Sequence, residues 1–73
     1  TNAEAHFNIG LFHAVSGRPA DGVPHWEAAL HHNPYFVPAY EQLIDYYGQS
    51  ANPAKRDEYQ EQLDVLLQRV AAR

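Results

Sequence analysis

The sequence predicts an all-α fold of four helices arranged as two stacked antiparallel hairpins. Three observations carry that expectation: apolar residues recur at helical spacing in four segments, Gly, Pro and Asn punctuate the boundaries between them, and the two halves of the chain match at a shift of 34 positions. No segment alternates with period two, so no sheet is expected.

The first helix is expected from about Asn2 to Ser16. Thr1 and Glu4 have the spacing of a capping box, in which the hydroxyl accepts the Glu4 amide proton and the carboxylate reaches back. Gly17 follows as the residue able to take the left-handed conformation that ends a helix. The second helix starts near Pro19, a favoured first-turn residue, and ends before Asn33-Pro34. Pro24 conflicts with it by removing a backbone donor and restricting Val23, and one slightly irregular helix is the expectation.

The third helix is expected from about Val37 to Tyr47, with Pro38 in its first turn and Gly48 near its end. Tyr40, Leu43, Ile44 and Tyr47 form one apolar stripe, with Glu41, Gln42 and Asp45 on another side. Asn52-Pro53 provides an N-cap and a first helical residue for the fourth helix, which runs to about Ala71. Its buried face is expected to be Tyr59, Leu63, Leu66, Leu67 and Val70, with Asp57, Glu58, Glu61, Gln62, Gln68 and Arg69 toward solvent.

Composition bounds what such a chain can be. At 73 residues it is one domain at most, and a domain this small buries only about 60% of its unfolded surface. It has no cysteine, so neither a disulfide nor a thiolate zinc site can staple it. It has no methionine and is read as a piece of a longer protein. The net charge is −4 and the basic residues Arg18, Lys55, Arg56, Arg69 and Arg73 are scattered, which argues against a nucleic-acid surface. No apolar run approaches the ~20 residues that span a bilayer, so membrane insertion is not expected.

At the 34-residue shift Ala5 pairs with Ala39, His6 with Tyr40, Ile9 with Leu43, Phe12 with Tyr46, His13 with Tyr47 and Pro19 with Pro53. A period shared across helix, turn and next helix marks a helical repeat array, in which neighbouring pairs stack because one pair cannot bury its own apolar face. The residues His6-x2-Ile9-Gly10-x2-His13, then Gly22-x3-Trp26, then Ala29 and Pro34, resemble the tetratricopeptide repeat (TPR), whose pattern runs W-x2-L-G-x2-Y, A-x3-F, A and P. Proline at the position of Pro24 also occurs in that family. The second copy departs from the pattern: Ile44 and Lys55-Arg56 replace small residues, and Gln68 stands where proline would close the repeat.

The resemblance implies a short right-handed solenoid within a single domain over 1–73, with repeat one at about 3–36 and repeat two plus a C-terminal capping helix at about 37–73. A terminal repeat is expected to be atypical and polar outside. Gly10 would let the first two helices approach closely, with Trp26, Ile9, Phe12 and Ala29 filling the interior. The cluster Tyr35, Phe36, Tyr40, Tyr46 and Tyr47 would form the core between the hairpins.

The family's groove positions, carried over one by one, are Glu4, Phe7, Asn8, Leu11, Ala14, Val15, Glu41, Gln42, Asp45 and Gln49. Phe7 and Leu11 make a second apolar stripe on the first helix. Either a neighbouring helix covers it or it is a hydrophobic groove with an acidic rim. Phe7 and Leu11 stand at two positions where the family's carboxylate-gripping members carry polar or basic residues, so that ligand mode is rejected. The implied partner is a protein or peptide of apolar or basic character, since complementary charge speeds encounter. Self-association into a homodimer is the alternative, because two repeats fall short of the about three needed for independent stability.

The five histidines invite a metal reading, but none is expected. His6 and His13 stand about two turns apart, as do His25 and His32, and there is no His-x3-His to clamp an ion on one helix face. His6 and His13 are expected to pack as aromatic residues, and His31 and His32 to complement the dipole at their helix end. Ser16 and Ser50 carry no nucleophile signature and no phosphate loop is present, so neither a cofactor nor catalysis is expected.

Overall fold

The first two helices begin and end, and the last two begin, at the punctuation just described. The structure is a computed structural model that describes residues 1–71, so the last two positions of the expected domain, including Arg73, lie outside the described residues. Four α-helices follow in order: α1 (Asn2–Val15), α2 (Pro19–His32), α3 (Val37–Gln49) and α4 (Pro53–Ala71). No strand occurs among the described residues.

At the start of α1 the Glu4 amide donates to Thr1 Oγ1 at 3.2 Å, and the Glu4 carboxylate lies 3.7 Å from the Thr1 nitrogen. At its end Gly17 takes φ +82°. The Gly17 amide donates to the Ala14 carbonyl at 3.1 Å and the Arg18 amide to the His13 carbonyl at 2.9 Å, the paired closure of a Schellman cap. The end of α3 repeats this 34 residues later. Ala51 adopts φ 56°, the Asn52 amide donates to the Tyr47 carbonyl at 3.0 Å, and the Ser50 hydroxyl donates to the Tyr46 carbonyl at 2.6 Å. Asn52 Oδ1 then accepts the Lys55 amide at 3.3 Å and starts α4. Between the hairpins Asn33 Oδ1 accepts the Tyr35 amide at 3.0 Å, an Asx turn that ends α2. α2 is continuous through Pro24, whose missing donor leaves the Ala20 carbonyl without its helical partner near the helix start.

Consecutive helices pack: α1 on α2, α2 on α3, and α3 on α4. Trp26, 1% exposed, centres a core with Ala3, Ala29, Ala39 and Leu43. Tyr40, Leu63 and Leu66 form a second cluster, and Leu30 and Tyr59 pack against both. The closest approach is between α1 and α2. A Cβ built on Gly10 would stand 2.4 Å from Trp26 Nε1, and one on Gly22 would stand 2.7 Å from the Gly10 carbonyl oxygen. Only glycine at both positions lets the indole and the two backbones meet.

Three expectations are corrected. Ile9 and Phe12 do not fill the interior: they are 44% and 62% exposed. The inward face of α1 is Ala3, Phe7, Gly10, Leu11 and Ala14, because the face that carries Gly10 turns onto Trp26 and swings Ile9 and Phe12 away. Leu67 and Val70 do not join the buried face of α4. That helix has 19 residues against 13 in α3, and its last turns run past their support. Tyr35 leaves the aromatic cluster and is exposed in the α2–α3 turn, while Tyr40 is buried and Phe36, Tyr46 and Tyr47 are half-buried.

Candidate functional site

The expected groove residues lie on α1 and α3, and the structure treats them unequally. Glu4, Asn8 and Val15 on α1 are exposed, as are Glu41, Asp45 and Gln49 on α3, while Gln42 is half-buried. Phe7 and Leu11 are half-buried and packed against the Trp26 core, with the Phe7 ring meeting Phe36 edge-on at 5.4 Å between centroids. The chain's own helices therefore take up much of the Phe7-Leu11 stripe.

Part of the set converges on a cleft of about 290 Å³ lined by Ala14, Pro19, Trp26, Gln42, Asp45, Tyr46, Gln49 and Ser50. It lies where the end of α1, the start of α2 and the second half of α3 come together. The spacing of Gln42, Asp45 and Gln49 puts them one turn apart along α3. The Gln49 amide nitrogen donates to both Asp45 oxygens at 3.1 Å, which holds the carboxylate at the rim. Asp45 is the one charged residue of the lining, and no Lys or Arg joins it. An apolar floor of Ala14, Trp26 and Tyr46 under amides and one carboxylate suits a segment that brings an apolar or cationic side chain together with backbone N–H groups.

Trp26, Tyr46, Pro19 and Ser50 were not among the expected site residues. Tyr46 and Trp26 read in sequence only as core, and both are core residues whose edges also reach the cleft. Glu4, Phe7, Asn8, Leu11, Val15 and Glu41 do not line it. A larger cleft of about 430 Å³ lies between the α2–α3 turn and α4, lined by Pro34, Tyr35, Tyr40, Glu58, Glu61, Gln62, Val65, Leu66 and Arg69. None of the expected groove residues borders it.

Among the described residues no group of three or more His, Asp or Glu is placed to hold a metal ion, and no helix is long and apolar enough to cross a membrane. No protein-family model matches the chain, and neither a curated protein nor a solved structure matches it.

Proposed function

We propose that the chain is a non-catalytic protein-interaction module, a short TPR-like array of two helix pairs that holds a partner segment of apolar or basic character along the side where α1 and α3 meet. The observation that carries this reading is the cleft in which Gln42, Asp45 and Gln49 gather over the edges of Trp26 and Tyr46 with no cation in the lining. The common geometry of the two helix pairs supports the array: both first helices end in the same left-handed turn, at Gly17 and Ala51, followed by Pro19 and Pro53. The far side of α4 supports its role as a cap. Val23 and Leu30 of α2 correspond to Asp57 and Asp64 of α4, so a face that is apolar in the first pair is acidic in the second.

A second reading, self-association, rests on a different observation. Ala5, Ile9 and Phe12 on α1 are exposed, whereas their counterparts Ala39 and Leu43 are fully buried and Tyr46 is half-buried. α3 packs against both α2 and α4, whereas α1 has α2 as its one extensively packed neighbour, so a second copy could cover its outer face.

Capture of partners by the parent chain and by Asp45→Lys, with light scattering on both, tests the pair of readings. Asp45 is exposed, so the fold is expected to survive the change. Loss of a captured protein in Asp45→Lys is the expected result; equal capture of every protein removes the cleft as the recognition surface. A dimer in the parent that Phe12→Asp converts to a monomer would favour self-association.

A further inference from the structure

The cleft of about 430 Å³ between the α2–α3 turn and α4 lies apart from the side where α1 and α3 meet. One wall is the turn itself, and two hydrogen bonds fix it. Asn33 Oδ1 accepts the Tyr35 amide proton at 3.0 Å, and the Tyr40 hydroxyl donates to the Pro34 carbonyl at 2.9 Å. Tyr40 and Leu66 are buried and form the floor, while Tyr35 and Val65 border it with 66% and 42% of their surface open to solvent. At the corresponding place in the first helix pair a ring stack takes up the space. His6 and His32, the counterparts of Tyr40 and Leu66, stand 5.2 Å apart between centroids with planes 12° apart. In the second pair an aliphatic side chain replaces one ring, and a cleft of ligand size remains.

Charge changes sign along this cleft. Glu58 and Glu61 border it in the first half of α4, and Arg69 borders it near the end of that helix. The other three acidic residues of α4 have local partners: Asp57 lies 3.2 Å from Arg56, Glu58 lies 3.9 Å from Lys55, and Asp64 accepts from the Gln60 side-chain amide at 3.0 Å. Among the described residues neither Glu61 nor Arg69 forms a salt bridge. Glu61, Val65 and Arg69 follow one another at four-residue spacing, so they form one stripe of α4 that reads acid, apolar, base. Each step along it rises about 6 Å, and the whole stripe about 12 Å. An extended chain rises about 3.3 Å per residue and turns alternate side chains to the same side. Its first, third and fifth side chains therefore match the stripe in spacing.

We propose that this cleft is a second recognition site, which takes an extended segment of a partner protein carrying a basic, an apolar and an acidic residue at alternate positions. The basic side chain pairs with Glu61, the apolar one lies over Val65 and Leu66 beside the exposed Tyr35 ring, and the acidic one meets the Arg69 guanidinium, whose fork suits a carboxylate. Opposite charges at the two ends set the register and the choice of segment more than the strength of binding, because both ends stand in solvent. The wall that receives the segment is already held by the Asn33 and Tyr40 hydrogen bonds, so little ordering is required of the turn. This site stands whether or not the cleft between α1 and α3 holds a partner.

Four end-blocked pentapeptides test the site, each with leucine in the middle and serine on either side of it. One runs from arginine to glutamate, one from glutamate to arginine, one has glutamate at both ends and one has arginine at both ends. They are titrated into the isotope-labelled chain and followed by amide NMR shifts. A peptide of mixed charge is expected to give saturable shifts at Gln62, Val65 and Arg69, and each like-charged peptide to bind at least about tenfold more weakly. Glu61 and Arg69 are exposed, so the fold is expected to survive their substitution. In Glu61→Lys the preference moves to the peptide with two glutamates, and in Arg69→Glu to the peptide with two arginines. The absence of saturable shifts with every peptide in the millimolar range, equal binding of mixed and like-charged peptides, or an unchanged preference in both variants overturns the proposal. Shifts centred on Gln42, Asp45 and Gln49 overturn it as well, since the peptide would then occupy the other cleft.

Discussion

Between α1 and α2 an indole lies against two glycines and the backbones nearly touch; 34 residues later the corresponding positions are Ile44, Arg56 and Gln60 in place of Gly10, Gly22 and Trp26. The second pair is held instead by Tyr40, Leu63 and Leu66, with Tyr59 wedged beside them. The two pairs share their turn geometry and differ in what fills the space between their helices. Turn and packing are thus separable in this fold. A left-handed residue and a proline set the course of the chain, while the distance between helices depends on which side chains stand at the crossing. The first pair concentrates its burial in one large ring, and the second spreads it over several smaller contacts.

The largest expected effect tests that concentration. Trp26→Ala removes the largest fully buried side chain from a crossing that two glycine backbones cannot refill, and should destabilise the chain by about 3–5 kcal/mol. Leu63→Ala, at the position in α4 that corresponds to Ala29, leaves a smaller void at the margin of the fold and should fall near about 2 kcal/mol, the low end for such truncations. Urea melts of the two variants measure the difference. A larger loss for Leu63→Ala would reverse the comparison.

Two glycines sharpen it. In Gly10→Ala the new methyl would stand 2.4 Å from Trp26 Nε1 and 2.7 Å from Cδ1. The indole is enclosed and has little room to give, so a loss of about 1–3 kcal/mol is expected despite the better helix propensity of alanine. In the second pair, Gly48→Ala would place its methyl 3.5 Å from Arg56 Cδ, ordinary contact with a flexible side chain. It should gain about 0.5–1 kcal/mol from propensity alone. Thermal melts with opposite signs for the same substitution are the expected result, and equal signs would mean that the crossing of α1 and α2 is looser than the glycine contacts imply.

The contrast also explains what could be read in the sequence. Thr1 with Glu4, Gly17, and the proline-led starts at Pro19 and Pro53 are local signals, because the hydrogen bonds they govern close within a few residues. Helix boundaries were accordingly legible to within about two residues. Ala51 was not read from the sequence: Gly48 stood near the expected end of α3, and alanine gives no sign of a left-handed conformation. The inward face of α1 was not legible. That helix is apolar on two sides, Phe7 with Leu11 and Ile9 with Phe12, and the side that turns inward depends on where a neighbouring indole meets Gly10. Gln42, Asp45 and Gln49 were grouped only among the groove positions that the resemblance implied, and the floor beneath them required knowing that Trp26 and Tyr46 reach the same cleft. The stacking of His6 and His13 with His25 and His32 was hidden more deeply still. Equal seven-residue spacings on α1 and α2 were visible, but their interleaving is a matter of register between antiparallel helices.

The smallest expected effect concerns the link between the pairs. The Tyr59 hydroxyl on α4 donates to Glu27 Oε2 on α2 at 3.0 Å, while its ring stacks on Tyr47 at 6.0 Å and meets Tyr40 edge-on at 6.5 Å. Burial, then the hydrogen bond to Glu27 and the charges of Glu27, Tyr47 and Glu58, push the phenol well above its ordinary value. A group whose proton is held more tightly in the folded chain contributes stability that is fully present below about pH 10, the value for the unfolded chain, and is lost as pH rises through the folded value. Tyr59→Phe keeps the ring and deletes the hydroxyl. It should cost about 0.5–1.5 kcal/mol at neutral pH, the ordinary worth of one hydrogen bond. It should also flatten the fall in stability above about pH 10, leaving the part due to Tyr40 and Tyr47, which burial also raises. Urea midpoints from neutral to alkaline pH measure both effects. If Tyr59→Phe loses stability at high pH as steeply as the parent, the bond to Glu27 does not couple the second pair to the first, and the two pairs are held together by apolar contact alone.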